Sequence, residues 1–205
     1  MTQEFLEFVR LITTGDVDQV SRRVNENPTF VTASADEGAT RQVSTAFFFT
    51  NIAHYLYAGD TALHIAAAAF QHAIAMVLVA RGADCRAKNR RGAEPLHYAA
   101  DANRWDPIAQ AETIAYLISV GADPNALDRS GVAPLHRAVR TRSLAAVRAL
   151  IDGGADPIRP NKSGSTPLHL AVHNTGRGGS GTPRAKEQQA AIISLLQERG
   201  GKSAG

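Results

Sequence analysis

One short phrase recurs four times along the chain at a near-fixed interval. It occupies residues 61–66, 94–99, 133–138 and 166–171, and each copy has Leu-His at its third and fourth positions. The four histidines are 33, 39 and 33 residues apart. A period of this length indicates supersecondary units stacked in a file, each burying its apolar side only against its neighbours. Such a stack usually offers a binding surface and seldom catalyses a reaction.

A second phrase, Gly-Ala-Asp, keeps step with the first. It stands at 82–84, 121–123 and 154–156, each time with its glycine fifteen residues before the next histidine. The second unit carries six extra residues around 103–110, and the last unit, which closes at Arg199-Gly200, carries thirteen around 174–188. Both insertions fall between the two repeated phrases of their units, so we expect them to emerge on one edge of the stack.

The two phrases together resemble the ankyrin repeat, whose signature is a turn, a Thr-Pro-Leu-His-x-Ala helix start and a Gly-Ala-Asp helix end. The resemblance is strong from residue 59 to about 200 and weak over 5–31. It implies an all-α solenoid of stacked antiparallel helix pairs with hairpin-like turns. We predict one continuous domain with a degenerate N-terminal capping repeat (1–31), a loop and aromatic-rich insertion (32–58), and four clear repeats within 59–205 (59–91, 92–130, 131–163 and 164–201).

Local chemistry favours the same helix boundaries. Thr61 and Thr166 can cap the helices that follow them, because a threonine side chain accepts a hydrogen bond from an orphan amide for about 1 kcal/mol. Proline suits the first helical position, where its missing N–H costs nothing. The prolines in question are Pro95, Pro134 and Pro167. Ala133 stands where the family has threonine, and alanine has no acceptor to offer.

Residues 32–58 do not follow the repeat. The first part, 33–40, has the composition of a loop, whereas 47–57 is dense in aromatic residues and is predicted to be helical. That second part either packs onto the cap or helps to form a pocket. Burial is the favoured interpretation, because clustered aromatic residues are mostly core.

Composition indicates a single soluble domain. Cys85 is the one cysteine among 205 residues, which excludes an internal disulfide and fits a reducing compartment. Hydrophobic residues make up 44% of the chain, and no run reaches the ~18–20 apolar residues of a membrane span. The N-terminal residues lack the pattern of a signal peptide. We therefore expect a cytoplasmic protein without membrane association, and a monomer.

The repeated histidines could suggest a metal site, but the resemblance implies a structural role. In this family the residues equivalent to His64, His97, His136 and His169 hydrogen-bond backbone groups of the adjoining turns. Successive repeats lie on the order of 10 Å apart, the packing distance of helices. Zinc needs its ligands at about 2 Å, so no metal can be shared between repeats. The local pairs His169 with His173 and His97 with Asp101 supply only two ligands each.

No other motif predicts an enzyme or a cofactor. The glycine-rich stretch 176–181 has the letters of a dinucleotide-binding fingerprint but lacks the strand before it and the βαβ unit around it. Thr182-Pro183 also stands where a phosphate loop needs lysine and a hydroxyl residue. Neither serine nor cysteine lies at a recognisable spacing from a base and an orienting acid. We expect a non-catalytic protein without metal or cofactor.

A binding surface remains as the functional feature. The resemblance implies that partners are held by the turn tips and the exposed side of the first helices. The net charge is only +3, so the arginines that map to this stripe make the predicted concave groove basic locally. We predict that the groove binds an acidic segment of another protein; the alternative is a solvated basic surface. The candidate residues are Tyr57, Asp60, Arg90, Arg91, Asp101, Trp105, Arg129, Arg137, Arg140, Arg142, Lys162 and His173.

Two questions stay open at the level of sequence. Trp105 could anchor a partner, as tryptophan often does at interfaces, or fold back over its own helix pair. Nucleic acid or another polyanion is the second candidate ligand for the basic stripe, although the stripe lacks the stacking aromatic residues that single strands favour. An enzyme is the third and least favoured class.

Overall fold

The computed structural model describes residues 3–101, 106–173 and 182–201. Ten α-helices lie in this part of the chain, with lengths from 5 to 19 residues. In order they are α1 (Gln3–Ile12), α2 (Val17–Glu26), α3 (Ala62–Ala68), α4 (His72–Ala80), α5 (Pro95–Ala99), α6 (Pro107–Ser119), α7 (Pro134–Arg140), α8 (Leu144–Asp152), α9 (Pro167–Val172) and α10 (Pro183–Gly201).

The helices form two layers that run along the stack. In one layer α1 contacts α3, α3 contacts α5, α5 contacts α7 and α7 contacts α9. In the other, α2 contacts α4, and α4, α6, α8 and α10 follow in the same way. The core lies between the layers, where Leu63, Leu96 and Leu135 of the repeated phrase are fully buried. The all-α ankyrin solenoid predicted from the repeats is thus confirmed.

The first helices begin where the sequence predicts. Thr61 Oγ1 accepts a hydrogen bond from His64 N, and Thr166 Oγ1 accepts one from His169 N. The prolines of α5, α7 and α9 each occupy the first helical position. Ala133 precedes α7 in the same extended conformation as the threonine caps but has no side-chain acceptor.

Left-handed residues end the helices of both layers. Gly82, Gly121 and Gly154 follow second helices with φ between 93° and 103°, a conformation that glycine adopts without strain. After the first helices the same conformation falls on Phe70 (φ 55°) and Arg142 (φ 56°), which are both buried. A side chain in this region costs about 1–2 kcal/mol, so Phe70 and Arg142 hold a strained backbone that glycine would adopt more easily.

The predicted helix over 47–57 is wrong. The segment forms a small hairpin in which β1 (Phe48–Phe49) pairs antiparallel with β2 (His54–Tyr55); the 3-10 turn Thr45–Phe47 precedes it, and the 3-10 turn Thr50–Ile52 lies in the loop between the strands. Aromatic residues favour strands over helices, which explains the outcome. Burial is confirmed for Phe49, whereas Phe48 keeps 37% of its surface exposed.

The loop before this hairpin lies against the first turn of the stack. Ser34 forms an antiparallel bridge with Thr61, and Ala35 N donates to Asp60 O at 2.8 Å. Three residues after Ala35, the backbone of Gly38 lies so close to Tyr57 and Ala58 that an added Cβ would fall 2.5 Å from their atoms. Residues 34–39 therefore cover the N-terminal edge of the turns.

Among the described helices, none is long and apolar enough to cross a bilayer.

Candidate partner-binding surface

The turns that precede the first helices share one side-chain device. Asn89 Oδ1 accepts from the amides of Arg91 (2.8 Å) and Ala93 (3.0 Å), which fixes the turn around the residues between them. Asp128 and Asn161 hold their turns in the same way through residues 130 and 132, and 163 and 165. We call residues 57–58, 90–91, 129–130 and 162–163 the turn tips. The last three tips are held in this way, and all six of their residues are exposed.

Backbone hydrogen bonds join consecutive tips. Arg90 N donates to Ala58 O and Arg129 N donates to Arg91 O, both at 2.9 Å. The Lys162 ammonium donates to Arg129 O, which brings the fourth tip against the third. The tips therefore form one continuous line along the stack.

The cations at the tips are exposed and adjacent. Arg90, Arg129 and Lys162 occupy the same position in three consecutive turns, and all three are exposed. Arg91 is exposed as well, and its guanidinium lies 4.0 Å from the centre of the Tyr57 ring, a cation–π geometry. These four residues are called the basic row below.

Arg137 lies below the basic row and is engaged by two carboxylates. Its Nη1 donates to Asp101 Oδ2 at 2.9 Å and its Nη2 donates to Asp128 Oδ2 at 3.0 Å, while 16% of the side chain is exposed. Burial alone would lower the pKa of Arg137, but the two carboxylates outweigh it and raise that pKa. Arg137 and Asp101 join two repeats, and with Asp128 they carry one net negative charge. Both candidates are therefore engaged with each other, and Arg137 also with Asp128.

Asp60, another candidate, is fully buried. Its carboxylate accepts hydrogen bonds from Tyr57 N (2.7 Å), Asn89 Nδ2 (2.8 Å) and Tyr98 Oη (2.9 Å). Burial, followed by the Asp60 charge, raises the pKa of Tyr98 well above its usual value, so Tyr98 keeps its proton as a donor. Asp60 ties the first turn to the second and has no surface with which to contact a partner.

The remaining candidates lie away from the tips. Arg140 is exposed at the last residue of α7, about 10 Å along the helix from its first residue. Arg142 is buried in the following turn. His173 is exposed at the end of α9, with its ring 4.6 Å from that of His169. Trp105 falls outside the described residues. Of the twelve candidates, the tips bring together Tyr57, Arg90, Arg91, Arg129 and Lys162.

Acidic residues lie beside the N-terminal end of the basic row. Asp36 and Glu37, both exposed, line an open cavity of about 270 Å³ together with Arg90. Val43 and Phe47 form its apolar walls. Phe47 belongs to the aromatic segment, for which a contribution to a pocket was the alternative prediction. The charge along the tips therefore changes sign, from negative beside the first turn to positive over the next three.

The repeated histidines hold neighbouring repeats together. His64 Nδ1 accepts from Thr61 N (3.1 Å), so its Nε2 carries the proton and lies 3.0 Å from Ala93 O of the next turn. His97 repeats this arrangement with Glu94 N and Val132 O, both at 3.1 Å. The structural role that the resemblance implies is confirmed for these two. Burial lowers the pKa of both imidazoles, that of His97 to about 4.

No set of three His, Cys, Asp or Glu side chains in the described residues is placed to hold a metal ion. Sequence reasoning missed the interior contacts of Tyr98 and Asp128. A signal was available, because Asp60 aligns with the neutral residues Ala93, Val132 and Ser165 of the other turns. A buried carboxylate at a position that is neutral in the other repeats needs a hydrogen-bond donor, and a side chain of the next repeat can supply one. Tyr98 is that donor, one unit further along.

Comparison with known proteins agrees with this architecture. Residues 31–128 and 108–180, which together cover more than half of the chain, match the family model described as ankyrin repeats (3 copies). No curated protein matches the chain. The repeated phrase, the two helix layers and the matched family model lead to one conclusion, that the chain belongs to the ankyrin-repeat family.

Proposed function

We propose that this protein is a non-catalytic interaction module whose basic row binds an acidic segment of another protein. Ankyrin repeats are in general protein-binding modules, and the partner class follows from the charge of the tips. One observation carries the proposal: four exposed cations lie on consecutive, hydrogen-bonded turns. A line of like charge raises the local potential and speeds the approach of an oppositely charged partner.

The contacts of Arg137 separate this row from the other arginines. Because Asp101 and Asp128 hold Arg137, a partner carboxylate would have to displace two existing ion pairs to reach it. The cations of the basic row are engaged differently: Arg90 and Lys162 donate to backbone carbonyls and Arg91 lies against the Tyr57 ring, so a partner that reaches these three displaces no ion pair. The proposed partner surface is therefore the tips and not the helix face below them.

Nucleic acid is the competing ligand, and Tyr57 counts against it. Proteins that bind single strands without sequence preference stack bases on aromatic side chains. The Tyr57 ring at the first tip is covered on one face by the Arg91 guanidinium. An acidic protein segment can bind through the charges of the basic row alone and needs no free aromatic face.

Charge reversal with a matched control tests the proposal. The triple variant R90E, R129E and K162E should lose capture of partner from an extract of the source cell, because it reverses three of the four row charges. The control R22E, R148E and K186E makes the same change of net charge at exposed positions of second helices. Partner identified by mass spectrometry should be retained by the control and lost with the tip variant.

Two outcomes would contradict the proposal. Equal retention of partner by both variants would mean that the basic row is not the binding surface. Displacement of the partner by unrelated nucleic acid, with a steep fall of affinity as salt rises, would favour a polyanion site. Circular dichroism of both variants must match that of the unmodified protein.

A further inference from the structure

We infer that the segment bound by the basic row is an extended, polyproline II-like stretch with an acidic residue at every third position. This inference rests on the proposed function and specifies its partner. It follows from the spacing of Arg90, Arg129 and Lys162, and from the requirement that three carboxylates face the same way.

The spacing of the cations is set by the stack. The three residues occupy the same position of consecutive turns, and backbone or side-chain hydrogen bonds join each tip to the next. Equivalent positions in packed repeats are on the order of 10 Å apart, the distance between packed helices. Arg129 Cγ lies against Gly92 and Lys162 Cγ against Gly131, so both side chains lean over the preceding turn in the same way and their charges keep the interval of the backbone. A ligand that pairs with all three cations therefore needs three anions at intervals of about 10 Å.

An extended peptide meets this interval in only one common conformation. Polyproline II rises about 3.1 Å per residue with three residues per turn, so side chains at i, i+3 and i+6 share a face and lie about 9 Å apart. In a β-strand, residues that share a face lie about 7 Å or 13 Å apart. Seven residues of polyproline II can therefore reach the three cations, whereas a strand falls out of register.

The acidic residues beside the first tip determine the charge of the segment's end that lies next to them. Asp36 and Glu37 share a cavity with Arg90, the first cation of the series. A carboxylate placed beyond Arg90 on that side would face them and be repelled, whereas a lysine would be attracted. The bound segment therefore has its acidic residues over Arg90, Arg129 and Lys162, and a basic or neutral residue at the end next to Asp36.

Peptides of one composition and different order test the spacing. The first has three glutamates, each followed by Pro-Ala; the second has the same residues with the glutamates contiguous; the third replaces glutamate by glutamine. Fluorescence anisotropy of labelled, end-blocked peptides at constant ionic strength should give a dissociation constant at least tenfold lower for the first peptide than for the second. R129A should weaken the first peptide about tenfold, and R148A should leave it unchanged.

Coupling between the middle groups tests the register more directly. Replacing the middle glutamate of the first peptide by glutamine should cost little further affinity in R129A, because the two groups are partners. Equal affinity for the spaced and contiguous peptides, or additive losses in this cycle, would overturn the spacing while leaving an acidic partner in place. Tighter binding of a helical peptide with glutamate at every seventh residue would also overturn it. Failure of both acidic peptides to exceed the glutamine peptide would instead contradict the proposed function.

Discussion

His97 and His169 occupy the same position of the repeated phrase, yet their surroundings differ. His97 is fully buried, accepts from Glu94 N and donates to Val132 O of the following turn. His169 is exposed, and its ring contacts that of His173. The repeated phrase places an imidazole at each position, but the imidazole links two repeats only where the following turn offers it a carbonyl acceptor. The two positions therefore predict different contributions of the same residue type to stability.

Removal of the His97 side chain should have the largest effect. H97A leaves Glu94 N and Val132 O without their buried partners and opens a cavity between two repeats. Unsatisfied buried groups cost about 1–3 kcal/mol each, so the free energy of unfolding should fall by about 3 kcal/mol in urea titrations followed by circular dichroism. A loss no larger than that of H169A would contradict the linking role.

Acidification should weaken the same link. Because the folded pKa of His97 lies near 4, below that of an unfolded histidine, the unfolded chain binds the proton first as the pH falls. His97 alone should cost about 2 kcal/mol between pH 7 and pH 5, and the lowered pKa values of His64 and His136 act in the same direction. The pKa of Glu94, raised by burial, acts the opposite way at lower pH.

The unfolding midpoint in urea, measured at pH 7, 6 and 5, checks this expectation. H97A is the informative comparison, since it should lose part of the dependence along with its stability. A wild-type midpoint that stays constant over this range would show that the buried imidazoles do not govern stability.

Adding a missing cap should have a smaller, favourable effect. A133T places a threonine before α7 in the extended conformation that Thr61 and Thr166 adopt. The new hydroxyl can accept from His136 N, for a gain of about 1 kcal/mol. Thermal unfolding measures the gain. T61A, which should lose about as much, is the matched control, and destabilisation by A133T would mean that the buried site has no room.

H169A should have the smallest effect. The imidazole is exposed, so its removal should change the free energy of unfolding by less than about 0.5 kcal/mol in the same urea titration. A loss close to that of H97A would mean that the last repeat depends on its histidine as the inner ones do.

The repeat could be predicted from sequence because its markers are local. Threonine caps, first-turn prolines and helix-ending glycines act within a few residues of themselves, and the structure places them as expected. The hairpin over 47–57 was missed because a short apolar stretch without a period fits both a helix and a strand. There, pairing of Phe49 with His54 decides the outcome, and such a contact leaves no local pattern.

The turn tips could be located from sequence, but the contacts of the charged residues around them could not. Alignment of the repeats places Arg90, Arg129 and Lys162 at equivalent tips, and the structure keeps all three exposed. The same alignment cannot distinguish Arg129 from Arg137, because ion pairing of Arg137 depends on carboxylates from two repeats. Asp60 likewise looks like a surface residue in the alignment, until Tyr98 and Asn89 are found to enclose it.

The loop at 34–39 has a consequence for how this protein could be lengthened. Its backbone already takes up hydrogen bonds with residues 56–61, the place where the turn of an additional unit would have to dock. Inserting a consensus repeat directly before residue 59 would require residues 34–39 to give up these hydrogen bonds. Inserting a repeat between two existing units should disturb the structure less, because each inner turn already has a neighbouring turn on both sides.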